Sequence, residues 1–333
     1  MGMKKFINNP DNLTAELLEG YCSAYSNKVQ LVSDKIVMRL KPKDKSKVAL
    51  LTLGGAGHEP ALSGFVGEGM LDASVVGDIF AAPGAPKVIE AMRLLKRDAG
   101  ILFVVLNHAG DVMSGNMAME MAKQEGINVK MILTHEDIAP GADSPIENRR
   151  GLAGCIPLYK VAGAAAEAGK SLDEVYNIAE KFNNNMATLA VALKPATHPQ
   201  SGQEIFTLAE DEMEIGMGQH GEAGTGRSQM LSADETAVKM ITQLIMAVKA
   251  KKGDKIHLMI NGAGATTQME MFIVYRAAKK YVQGLGIKVV HSLVGEYLTV
   301  QEMGGFQMFV AKLDDELLKL MYAPADAPYW TVR

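Results

Sequence analysis

The sequence predicts an α/β protein of two domains, each a mostly parallel or mixed sheet flanked by helices. Apolar runs of strand length alternate with helix-period segments along most of the 333 residues, the pattern that builds sheets covered by helices. The run Gly100-Ile-Leu-Phe-Val-Val-Leu106 is apolar without alternation, as in a strand buried on both faces. Several such runs end in glycine-bearing polar loops, and ligands of open α/β sheets bind at the carboxyl ends of strands. At 48% apolar and 22% charged residues, the chain has a globular composition and enough length for two cores.

Taken in order, Asn12 is placed to cap a helix with Leu13, Leu17, Leu18, Tyr21 and Ala24 on one face. Residues 29–32 and 35–40 read as short strands, 48–53 as the strand that opens a glycine loop, and 73–78 as the next strand. Pro86 suits the first turn of a helix running through Val88, Ile89, Met92 and Leu95. The strand over 100–106, a helix over 112–124 and a strand over 129–133 predict a parallel sheet with right-handed crossovers. Residues 134–150, with Pro140, Gly141 and Pro145, form a long loop of the kind that more often carries function than not.

Helices are expected over 152–168 and 171–182. Composition changes abruptly at Asn183-Asn184-Asn185, which places the domain boundary between residues 1–185 and 186–333. The second half reads as a strand over 186–193, a Pro/Thr/His-rich loop over 195–202, a short strand over 212–215 and a glycine-dense loop over 216–227. A helix over 234–250, strand 255–261, helix 266–280, and strands 287–294 and 306–311 complete it.

The net charge of −4 is spread over both signs with no basic block, which argues against nucleic-acid or anionic-membrane partners. Cys22 and Cys155 stand far apart, so neither a disulfide framework nor a thiolate metal site is indicated. Lys4 and Lys5 have no apolar stretch behind them and no run reaches spanning length, so a cytoplasmic protein is expected. Met113, Met117 and Met121 recur at helical spacing and are read as core filling.

The chemistry-bearing stretch is Gly54-Gly-Ala-Gly-His-Glu-Pro60, which follows an apolar run. Gly55, Ala56 and Gly57 leave backbone open to close approach, with His58 at the edge of the opening. Pro60 stands where a dinucleotide fingerprint needs its third glycine, so that reading fails. His58, Asp111 and His220 each sit in a glycine-bearing loop, which suits acid–base work or, for histidine, attack on a carbonyl. Metal binding by two histidines and a carboxylate stays open, although no ligand pair has helical or turn spacing. His108 shares the loop of Asp111 and is read as lining the site. His135, His198, His257 and His291 read as structural or exposed, and Arg149, Arg150 and Arg227 as a solvated face or a receiver of phosphate or acidic surface.

Five motifs now stand in order: Gly54 to Pro60, Gly77-Asp-Ile-Phe80, Asn148-Arg-Arg-Gly-Leu-Ala-Gly154, Met213-Glu-Ile-Gly-Met-Gly-Gln-His-Gly-Glu222 and Asn261-Gly-Ala-Gly-Ala-Thr266. Together they resemble the dihydroxyacetone kinase K subunit, over residues 4–328. The resemblance implies a two-domain α/β subunit, usually a homodimer, that holds dihydroxyacetone or a related short ketose. It implies that His220 adds to the carbonyl through a ring nitrogen to give a hemiaminal, and that His58 and Asp111 act on the terminal hydroxyl. Gly55, Ala56, Gly57, Leu106 and His108 fall at substrate-contacting positions. The chain ends about where the ketose-binding part ends, so the resemblance implies no cofactor or metal here. ADP and Mg2+ are expected on a separate L subunit, recharged by an M subunit of the phosphoenolpyruvate phosphotransferase system.

Two departures bear on the substrate. Leu106-Asn-His-Ala-Gly-Asp111 stands where the family commonly reads Lys-Asn-Tyr-Thr-Gly-Asp, and Ser114-Gly115 where it reads Asn-Phe. Losing a cation and a phenol changes hydrogen-bond partners, which discriminate more strongly than apolar fit. A four-carbon ketose such as erythrulose is therefore an alternative substrate. A dihydroxyacetone-sensing transcriptional co-activator on the same fold is the rival reading; retention of His58 and Asp111 favours catalysis.

Overall fold

A computed structural model describes residues 4–224 and 226–333. A 3-10 turn (Pro10–Asn12), closed by the Asn9 side chain accepting from the Asp11 N–H, leads into α1 (Leu13–Ala24). Asn12 lies within that turn and makes no side-chain cap, which corrects the expectation placed on it. There follow β1 (Val29–Ser33), β2 (Ile36–Arg39), β3 (Ala49–Ala56), β4 (Ala73–Ile79), α2 (Ala85–Leu95), β5 (Ile101–Leu106), α3 (Ala109–Gln124) and β6 (Val129–Thr134). These six strands form one sheet in the order β1-β2-β4-β3-β5-β6. β4, β3, β5 and β6 run parallel, and the β1–β2 hairpin adds an antiparallel edge.

Next come α4 (Cys155–Glu167), α5 (Leu172–Asn183), β7 (Met186–Lys194), β8 (Glu212–Ile215), β9 (Arg227–Gln229), α6 (Ala233–Ala247), β10 (Lys255–Gly262), α7 (Gln268–Gly284), β11 (Lys288–Gly295) and β12 (Gly304–Leu313). The second sheet has the order β11-β10-β12-β7-β8-β9, and only β10 and β11 are parallel neighbours. A last helix, α8 (Asp315–Met321), and a hairpin of β13 (Ala325–Ala327) and β14 (Trp330–Val332) fold back on the first half, where Asp326 pairs its backbone with Glu68. The strands of the first sheet all precede residue 135, and those of the second all follow residue 185.

Burial arranges these elements in layers. α2 and α3 cover one face of the first sheet through Val88, Met92, Ala118 and Ala122 against Leu51, Leu53, Phe103 and Val105. α6 and α7 cover the outer face of the second sheet. Between the sheets lie α1, α4, α5 and α8, in one core that joins Leu50, Leu102 and Val104 to Met259, Phe309 and Ala311. Every residue of α4 from Cys155 to Ala166 is buried, including Lys160, whose ammonium donates to the Leu320 carbonyl at 2.7 Å. α5, α6 and α7 start at reciprocal capping boxes, Ser171/Glu174, Ser232/Glu235 and Thr267/Glu270. Among the described residues no helix is long and apolar enough to cross a membrane.

α4 fits its layer because it is lined with small residues. A Cβ added at Gly163 would lie 2.5 Å from the Gly69 carbonyl oxygen and 2.6 Å from the Met70 Cα, both backbone. Gly163→Val should therefore destabilise the protein by about 1–3 kcal/mol through overpacking. An unchanged urea midpoint would show that this contact relaxes freely.

Candidate functional site

β3 delivers His58 to the space between the sheets. The loop after it, His58 to Glu59, is clamped to the segment between β11 and β12. Thr299 N–H donates to the His58 carbonyl at 3.1 Å, the Thr299 hydroxyl to the Glu59 carbonyl at 2.8 Å, and Gln301 N–H to the Gly57 carbonyl at 3.1 Å. The His58 ring continues this clamp, with Nδ1 2.7 Å from the Thr299 carbonyl oxygen. A carbonyl at that distance requires the proton on Nδ1, so Nε2 carries a lone pair. That Nε2 lies 3.1 Å from Nε2 of His220.

His220 comes from the glycine-dense loop after β8. Its backbone N–H donates to Glu222 Oε2 at 2.8 Å, and its Nδ1 lies 3.1 Å from Glu222 Oε1. If His220 is neutral and donates Nδ1–H to the carboxylate, its Nε2 carries a lone pair. His108 stands at the cap of α3, where Nε2 meets the Gly151 carbonyl at 2.8 Å and the Gln219 side-chain amide at 3.1 Å, while its Nδ1 faces Glu222 Oε1 at 3.7 Å. Phe80 packs beside the His58 and His220 rings, at 5.1 and 5.7 Å between centroids.

Burial sets the charge states. It pushes His58 down to about 3, aided by neighbouring His220, and His108 down to about 4 in the same way, so both are neutral near pH 7. Asp111 is pushed up to about 7 by burial, with His220 opposing. Its Oδ1 is buried and has no hydrogen-bond partner. Burial also works against the charge on Glu222, but the ring and backbone N–H of His220 prevail and hold its carboxyl well below the usual range.

Leu53, Gly55, His58, Phe80, Leu106, Asp111, Gln219 and His220 line one small cavity of about 30 Å³. His58, Asp111 and His220, from three separate loops or caps, thus share a single space, and Gly55 and Leu106 form its walls. Ala56, Gly57 and His108 do not line it. The Ala56 carbonyl accepts from the Phe80 N–H at 2.8 Å, and His108 meets the His220 ring edge-on at 5.2 Å. A Cβ at Gly55 would lie 2.7 Å from the Ala81 N, so its smallness also serves the packing of two strand ends. Asp111 sits in the first turn of α3 rather than in a loop, because the helix begins at Ala109.

Arg150 corrects another expectation. Its Nε donates to Asp137 Oδ2 at 2.6 Å and its Nη2 to the Gly216 carbonyl at 2.7 Å, so it anchors the loop of His220 instead of awaiting a phosphate. Arg149 holds Ser144 and Ala142 within its own loop. His198 meets Phe80 edge-on, whereas His257 and His291 pair 4.5 Å apart on neighbouring strands of the second sheet. Sequence reading gave no role to Glu222 or Phe80, though both stood in quoted motifs. The His-Gly-Glu spacing was the available signal for Glu222. No signal marked the Thr299 carbonyl.

Fold and site together define an α/β protein with a small buried site at converging strand ends, fitted for a compact polar ligand. The chain belongs to the Dak1 domain family, whose pattern matches residues 19–329. It is 39% identical over 317 residues to the dihydroxyacetone-binding subunit DhaK of a PTS-dependent dihydroxyacetone kinase of Lactococcus lactis, covering 95% of each chain. It is 36% identical over 329 residues to the corresponding subunit of kinase 1 of Listeria innocua, covering 98% of this chain and all of that one. The solved dihydroxyacetone kinase operon co-activator Dha-DhaQ superposes with a TM-score of 0.90 at 30% identity, over 96% of this chain and 98% of that chain.

The raised Asp111 has a consequence for stability. Between its ordinary value of 3.8 and about 7 the unfolded chain has released this proton and the folded chain keeps it, so stability falls as pH rises through that window. Asp111→Asn should flatten this part of the pH–stability curve measured by urea unfolding. A curve of unchanged slope would show that Asp111 ionises normally.

Proposed function

We propose that this chain is the ketose-binding subunit of a phosphoenolpyruvate-dependent dihydroxyacetone kinase, holding dihydroxyacetone or a similar short ketose. The observation that carries the reading is the His220 ring. Its Nδ1 is engaged by Glu222 and its Nε2 faces His58 at the cavity that His58 and Asp111 also line. The names of the two DhaK relatives support the assignment of ligand.

In the proposed reaction Nε2 of a neutral His220 attacks the carbonyl carbon, a C–N bond forms as the C=O π bond breaks, and the alkoxide oxygen takes a proton from solvent water to give the hemiaminal. The positive charge left on the ring lies against the Glu222 carboxylate. Covalent capture selects carbonyl compounds over polyols, which offer no electrophile. The ketose must part the His58 and His220 rings, because the cavity holds about the volume of one water. His58, neutral by burial, faces the same terminal hydroxyl as the second member of an acid–base pair. Asp111, poised near neutrality, removes that hydroxyl's proton as it attacks phosphorus.

The phosphoryl donor on this reading is the L subunit after the M subunit has phosphorylated its Mg2+-bound ADP, which transfer to the ketose regenerates, with this chain acting as a cytoplasmic homodimer that binds no nucleotide itself. Alignment of hydroxyl and phosphorus supplies much of the acceleration. A second reading, a dihydroxyacetone-sensing co-activator, is favoured by the superposition on the solved co-activator. An erythrulose-type substrate is favoured by Leu106 in the cavity wall.

Intact-protein mass spectrometry after incubation with dihydroxyacetone should show an adduct that His220→Ala abolishes. His58→Ala should keep the adduct and lose turnover by at least about 10²-fold. Turnover is read with L and M subunits, phosphoenolpyruvate and either dihydroxyacetone or erythrulose, and should rise with pH through about 7 as Asp111 loses its proton. An adduct without turnover of either sugar would select the co-activator reading. An adduct that survives His220→Ala would overturn both.

A further inference from the structure

We propose that His108, His220 and Glu222 form a binding site for a divalent transition metal of the Zn2+ type, and that its occupancy blocks ketose capture by His220. One ligand atom from each residue lies within 4.8 Å of the other two. Glu222 Oε1 is 3.1 Å from His220 Nδ1 and 3.7 Å from His108 Nδ1. Ligands of a tetrahedral zinc ion, bound at about 2.0–2.1 Å, stand about 3.3 Å apart, between these two separations. Two imidazoles and one carboxylate suit zinc, cobalt or nickel better than magnesium or calcium, which prefer oxygen. Three protein ligands leave a fourth position for water.

The proton inventory of the cluster supports the same conclusion. His108 Nε2 lies 2.8 Å from the Gly151 carbonyl and 3.1 Å from the Gln219 amide nitrogen; in the tautomer that donates to Gly151, His108 Nδ1 presents a lone pair to a carboxylate oxygen 3.7 Å away. His58 Nδ1 donates to Thr299, so its Nε2 presents a lone pair to His220 Nε2. If His220 is neutral with its proton on Nδ1, a second pair of lone pairs meets there. A cation at the His108, His220 and Glu222 atoms removes both conflicts. The His220 proton then sits on Nε2, where it is donated to His58 Nε2 at 3.1 Å, and the lone pairs of His108 Nδ1 and His220 Nδ1 point at the metal. Outer hydrogen bonds of this kind, from His108 to Gly151 and from the His220 backbone to Glu222 Oε2, orient metal-binding side chains.

The blocking clause rests on the proposed function, because it removes the Nε2 lone pair that would attack the carbonyl. Metal and ketose then compete for one histidine through opposite nitrogens. The metal site itself stands without that reading.

The full chain, stripped with a chelator, is titrated with Zn2+ by calorimetry and with Co2+ by visible absorption, with Mg2+ as control. One equivalent should bind, with the absorption bands of four-coordinate Co2+ and no Mg2+ competition. His108→Phe and Glu222→Gln should each weaken binding by about 10- to 100-fold. His108→Tyr is run beside them, and thermal unfolding confirms that each variant is folded. Absence of Zn2+ binding, or binding equally tight in the folded variants, overturns the site. Adduct formation with dihydroxyacetone is then followed with and without saturating Zn2+. Loss of the adduct on adding metal supports the blocking, and an adduct that persists overturns it. A metal-free protein that forms no adduct while binding Zn2+ overturns the capture reading and leaves the metal site standing.

Discussion

The clamp between the loop after β3 and residues 299–301 is the constraint on which the rest depends. It joins positions 241 residues apart in sequence through two backbone N–H bonds, one hydroxyl bond and the His58 ring. Each bond alone contributes about 1 kcal/mol net, but together they fix where one sheet ends relative to the other. They also fix a tautomer. With Nδ1–H held by Thr299, His58 can only present a lone pair to the cavity, and the partner half of the molecule thereby determines what chemistry the first half offers.

A second set of buried polar contacts places the opposite wall. Arg150 bridges Asp137 and the Gly216 carbonyl, while Glu136 Oε1 accepts from the N–H groups of Leu152 and Gly154 at 2.7 and 2.9 Å. Breaking such a buried pair is costly because it strands the remaining charge. Residues 134–150, expected as a functional loop, are tied through Asp137 and Arg150 to Gly216 at the start of the loop that carries His220.

Much of this was legible locally. Strand runs such as residues 100–106 and most helix stripes follow from periodicity, and the actual bounds of most elements differ from that reading by a few residues, but Met113 and Met117, read as core filling, are exposed on α3. α3 begins at Ala109 and not at residue 112: Ala109 and Gly110 carry no apolar period, so the pattern becomes visible only at Val112. β9 is three residues of mixed polarity, and β13 is defined by pairing with β14 and contact with Glu68, so neither has a signal of its own. The site was legible as three glycine-flanked groups, His58, Asp111 and His220. Its control by Glu222 and by the Thr299 carbonyl was not, because one needs a turn conformation and the other is a backbone atom common to every residue.

Leu106 shows how one wall residue tunes the whole site. It is 4% exposed and lines the cavity with Asp111. A cation there would favour the ionised carboxylate, and an isobutyl group offers nothing of the kind, so burial prevails and Asp111 titrates near neutrality. Asp111 Oδ1 is buried and has no protein partner. A buried, unpartnered oxygen is costly until something supplies a hydrogen bond. On the proposed function that donor is the hydroxyl of the ligand, which makes recognition of the ligand and activation of its hydroxyl a single contact.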